Sequence, residues 1–131
     1  MAANTLMKIL KNLLLLVALI ILAHFTSSGS YSLYDSFFPG DSGGFFHVYA
    51  DFAEYLIGMN LAYLFFLFLL FTAFGDQHKK WWMGIAAIPA LAFLLYFDFS
   101  HIYFHLLFPI AGWLLGWGIA KLILMAQQRT V

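Results

Sequence analysis

The chain has 131 residues, of which 64% are hydrophobic, 21% aromatic and only 9% charged, and its six Lys and Arg balance six Asp and Glu. A soluble domain carries about 25% charged residues, and one of this size buries only about two-thirds of its surface, so lipid must cover the remaining apolar area. Zero net charge without a clustered basic patch speaks against a nucleic-acid partner, and the lack of cysteine excludes disulfides, thiolate metal sites and cysteine nucleophiles.

The first apolar stretch covers residues 6–25, with Lys8, Lys11 and Asn12 near its start, where lysine side chains can snorkel to the headgroups. A basic start and a short apolar run also suit a signal peptide, but Leu22-Ala23-His24 fits the small-residue cleavage pattern poorly, so an uncleaved signal anchor is expected. Residues 26–50 read as an outer loop: Ser and Gly favour turns, while Tyr31, Tyr34, Phe37, Phe38, Phe45 and Phe46 are expected to lie on the headgroups or plug the bundle. Within it, Gly40-Asp41-Ser42-Gly43-Gly44 resembles the segment around the nucleophile of chymotrypsin-like serine proteases. That family needs a two-barrel β scaffold to bring its histidine and aspartate to the serine, which helices and a short loop cannot supply, so the match is set aside as chance.

Residues 56–74 form the second span, interrupted only by Gly58, Asn60 and Thr72; Asn60 is expected to hydrogen-bond another helix. The third span, residues 81–97, opens on the interfacial pair Trp81 and Trp82 and carries Pro89 at its middle. The fourth, residues 102–126, has Pro109 in its first half and Ser100 as a candidate cap, and residues 127–131 read as a frayed tail. About 20 residues at 1.5 Å rise cross a hydrocarbon core, so each stretch suffices to span.

Lys8 and Lys11 precede the first span, Lys79 and Lys80 separate the second from the third, and Lys121 and Arg129 end the fourth, whereas residues 26–50 and 98–101 contain no Lys or Arg. Short cytoplasmic loops retain basic residues. The expected fold is therefore an all-α integral membrane protein: a single four-transmembrane-helix bundle over residues 1–131, N-in and C-in, in a plasma or inner membrane.

Helical wheels group the polar residues. If the second helix begins before the membrane, His47, Asp51 and Glu54 fall at roughly 0°, 40° and 340° on one face, continued inward by Gly58 and Ala62. On the fourth helix, extended backwards, Asp98, His101 and His105 fall at roughly 0°, 300° and 340°, continued by Pro109, Gly112, Gly116 and Ala120. Small residues at four-residue spacing let helices approach closely in lipid, within the chain or in a homo-oligomer. If the two stripes face each other, both trios meet at the outer rim, with Asp51, Glu54, His101 and His105 central and His47 and Asp98 peripheral.

Imidazoles and carboxylates with no neighbouring Lys or Arg suit a divalent cation, zinc, manganese or iron, and a spare Asp51 or Glu54 is a candidate general base for a bound water. Haem between histidines such as His24, His47, His101 and His105 is the weaker alternative, because its propionates want basic partners that this end lacks. A different functional class is an accessory or assembly subunit of a larger membrane complex, with no metal and with its polar groups merely interfacial. The bilayer is a partner in every case.

Overall fold

In the computed structural model, residues 2–39 and 50–130 are described, apart from the side chains at positions 50 and 51. Four helices follow one another: α1 (Ala2–Phe37), α2 (Ala50–Phe74), α3 (Lys79–Phe97) and α4 (Ile102–Arg129), the last preceded by a 3₁₀ turn over Phe99–His101. All four are long and apolar enough to cross a membrane. His47 and the Gly40-to-Gly44 motif lie outside the described residues.

Helix α2 is the axis of the bundle. Over half of its apolar window is buried, against under a fifth for each of the other three helices. Helices α1 and α4 pack along it, and α3 touches it more lightly. One core joins Leu19 of α1, Leu67 and Phe71 of α2 and Ala87 of α3. A second joins Tyr34, Ile57 and Leu61, with Phe38, Phe93, Phe104 and Phe108 packed around them.

Close approach depends on glycine at two crossings. A Cβ on Gly58 would collide with the Ser27 carbonyl of α1, and one on Gly112 with the Phe65 carbonyl of α2. At Gly116 the added carbon would sit 2.6 Å from the Leu69 carbonyl oxygen. The two small-residue stripes therefore do not face each other, the condition on which the meeting of both trios rested. Gly58 receives α1, whereas Gly112 and Gly116 press α4 onto α2 further along, so the α4 stripe is used within the chain. Ala62 is buried and Ala120 only half-buried.

The expected turn-rich loop from residue 26 is instead helical as far as Phe37. The hydroxyls that suggested turns fold back onto the helix's own carbonyls: Thr26 Oγ1 donates to Leu22 O at 2.7 Å, Ser27 Oγ to His24 O at 2.8 Å and Ser36 Oγ to Leu33 O at 2.7 Å. At 36 residues α1 is about 54 Å long, well beyond a hydrocarbon core of about 30 Å, so its polar last third extends past the apolar span.

Pro89 and Pro109 are carried inside continuous helices. Beside Pro89, the Tyr63 hydroxyl donates to the Ala86 carbonyl at 2.7 Å and ties α2 to α3. Pro109 has no N–H to offer four residues back, which leaves the His105 carbonyl without its helical donor.

Helix ends are fastened by polar contacts. Asn12 Nδ2 donates to Asp76 Oδ2 at 3.3 Å, which sets the start of α1 beside the α2–α3 turn. Asp76 also accepts the His78 backbone N–H at 2.8 Å; that bond leads, and with Asn12, His78 and Lys11 nearby it holds the carboxyl below its usual range despite some desolvation. The antiparallel order then gathers Lys8, Lys11, Lys79, Lys80, Lys121 and Arg129 at this basic end. Asp35, Glu54 and Asp98 lie at the opposite, acidic end.

Candidate functional site

At the acidic end, Asp98 lies between α3 and the 3₁₀ turn, and residues from three helices close around it. His101 Nδ1 is 2.7 Å from Asp98 Oδ1, and His105 Nε2 is 2.6 Å from Asp98 Oδ2. The Tyr34 hydroxyl of α1 donates to Asp98 Oδ1 at 3.1 Å and lies 2.8 Å from His101 Nδ1. Asn60 of α2 places Nδ2 3.3 Å from His105 Nδ1. His105 and Tyr34 are almost wholly buried, and Asp98 is 7% exposed.

The chemistry of these groups fixes their proton positions. An ionised carboxylate only accepts, so both imidazoles present N–H to Asp98. His105 then presents its Nε2–H to Asp98 and turns Nδ1 toward the Asn60 amide. Burial pushes the Asp98 carboxyl upward, but hydrogen bonds from His105 and His101, the charge of His105 and the Tyr34 hydroxyl outweigh it, leaving the carboxyl below its ordinary range. Aromatic rings wall the group: Phe38 lies tilted against His101 with centroids 4.0 Å apart, and Phe104 meets Tyr34 edge-on at 5.7 Å.

The trio expected on the fourth helix, Asp98, His101 and His105, is thus brought together. Asp98 is its centre and not its periphery, because the carboxylate bridges both imidazoles and the tyrosine. Of the trio expected on the second helix, Glu54 does not join it and His47 lies outside the described residues. Glu54 lines a separate cleft toward α1 with Ser27, Ser28, Tyr31, Ser32 and Tyr55. Asp51 lies in the first turn of α2, but its side chain is outside what is described. His24 accompanies Tyr55, with Nδ1 2.8 Å from the hydroxyl, away from His101 and His105.

Among the described residues, no group of three or more His, Asp or Glu is arranged to hold a metal ion. In the Asp98 group the imidazole nitrogens are aimed at carboxylate oxygens at hydrogen-bonding distance, and a cation would need lone pairs from both partners at about 2.0–2.2 Å. Asn60 was legible as an interhelical hydrogen-bonder. Tyr34 was missed, since its neighbours read as a loop; only its place among aromatics in a Ser-rich segment singled it out. No known protein family, characterised protein or solved structure matches this chain.

Proposed function

We propose that this protein is an accessory or assembly subunit of a membrane complex, with both termini cytoplasmic, in which the Asp98 group locks α1, α2 and α4 together. The observation that supports this most is the set of buried polar bonds that Asp98 and His105 make to three helices. Asp98 takes donors from His101, His105 and Tyr34, and His105 turns its second nitrogen to Asn60. Such a network fixes helix positions, since every buried polar partner is costly to leave unmatched. The remaining surface is largely apolar, with exposed Trp81, Ile85, Ile88, Tyr96, Trp113 and Trp117 on α3 and α4 available to lipid or to another membrane helix.

A divalent cation is the competing function, favoured by the convergence of two imidazoles and one carboxylate. It requires His101 and His105 to give up their bonds to Asp98 and to present lone pairs to zinc, manganese or iron. Mild-detergent purification from native membranes, followed by mass spectrometry of the intact assembly, separates the two. A larger membrane protein held in fixed ratio is the expected result. A chain isolated alone with one metal ion would overturn the accessory role.

A further inference from the structure

A second polar feature at the acidic end takes no part in the Asp98 lock. Where the last third of α1 passes the first turns of α2, Ser27, Ser28, Tyr31, Ser32, Glu54 and Tyr55 line a cleft of about 430 Å³. Ser27 spends its proton on the His24 carbonyl. Ser28, Ser32 and the Glu54 carboxylate have no hydrogen-bond partner among the described residues, although Glu54 is half-buried. Glu54 supplies the carboxylate of this lining, with Tyr31 and Tyr55 as its aromatic walls. All six Lys and Arg belong to the basic end, and none can neutralise Glu54.

A half-buried carboxylate at the edge of a bilayer calls for a cationic partner. Its surroundings select the kind. The cleft is far wider than the shell of a bare divalent ion, whose oxygen ligands must converge to about 2.0–2.6 Å. A primary ammonium carries three N–H donors, which match one carboxylate and two hydroxyl oxygens, and the tyrosine rings suit its charge. We propose that this cleft binds a primary ammonium group, presented either by the ethanolamine headgroup of a phospholipid or by a free alkylamine. Because the cleft opens where α1 leaves the apolar span, a headgroup can enter it with its acyl chains still in the bilayer.

The discriminating feature is the N–H donor, which a quaternary ammonium lacks. Purified full-length protein is given an equimolar mixture of phosphatidylethanolamine and phosphatidylcholine, and the retained lipid is read by native mass spectrometry. A headgroup site predicts about tenfold enrichment of phosphatidylethanolamine, the effect of one charge-assisted hydrogen bond, falling to near parity in Glu54→Gln. A free-amine site predicts no lipid preference, but an unfolding midpoint in phosphatidylcholine nanodiscs that rises with ethanolamine and not with choline, again lost in Glu54→Gln. Should Glu54→Gln fail to fold, the double variant Ser28→Ala/Ser32→Ala must weaken the same preference. Equal retention of the two lipids together with no response to ethanolamine overturns the proposal. So does a preference that Glu54→Gln and the double serine variant both leave intact.

Discussion

Asp98 takes its hydrogen bonds from two imidazole N–H groups and one phenol O–H, and no Lys or Arg reaches that end of the bundle. Replacing it by Asn swaps one acceptor oxygen for a donor and leaves one imidazole N–H facing another N–H. Asp98→Asn should therefore destabilise the fold by about 1.5–3 kcal/mol, and Tyr34→Phe, which removes one hydroxyl, by about 1 kcal/mol, both read from chemical unfolding in micelles. The sign with pH follows from the depressed carboxyl. With its folded pKa below the unfolded one, Asp98 contributes fully above the ordinary carboxylate range, and that contribution is lost as pH falls through the lowered value. The gap between wild type and Asp98→Asn should accordingly narrow on acidification; a gap that widens would contradict the assignment. At this scale the sequence was half informative. Spacings of three and four residues put Asp98, His101 and His105 on one face whatever the rest of the fold does. Tyr34 is 64 residues from Asp98, and nothing local announces the pairing. Glu54 shows the converse limit, since a wheel gives a direction on one helix and not which neighbour stands there.

Among the elements, α1 departs furthest from expectation. Ser and Gly between residues 26 and 36 weaken a helix by propensity, and the Thr26, Ser27 and Ser36 hydroxyls only satisfy themselves on its carbonyls, but Gly58 lets α2 support it. Tertiary packing overrides the local signal. Gly58→Ala should then loosen α1 from α2 at a cost of about 1–3 kcal/mol, because the new methyl meets backbone and not a movable side chain. Gly112→Leu or Gly116→Leu should disrupt α4 docking more severely, whereas Leu114→Ile, exposed on the other side of the same helix, should stay within about 0.5 kcal/mol. Thermal unfolding of the four variants in one detergent ranks them. Equal tolerance at Gly112, Gly116 and Leu114 would contradict the packing described. The glycine spacing was legible as a packing face, but the helix it packs on was not.

For the whole molecule, α1 is clasped at both ends, by Asp76 at the basic end and by Asp98 at the acidic end, while α3 keeps most of its face outward. Four helices and the segregation of charge were legible because lipid imposes them on composition and length. The arrangement around α2 was not, since apolar spans resemble one another in sequence and small differences in packing choose the neighbours. Cysteines introduced at Ser28 and Lys79 test the proposed orientation: Ser28→Cys should react with an impermeant reagent from outside and Lys79→Cys only after the cytoplasmic side is opened. The claim on which the rest depends is that Asp98, His101, His105 and Tyr34 form a hydrogen-bonded lock and not an ion site. The most direct measurement is the unfolding midpoint of native-membrane protein with and without a strong chelator, for wild type and Asp98→Asn. A lock predicts that the chelator leaves wild type unchanged while Asp98→Asn lowers the midpoint. A wild-type midpoint that falls on chelation to that of Asp98→Asn, with the variant indifferent to chelator, would show that a metal ion does the holding.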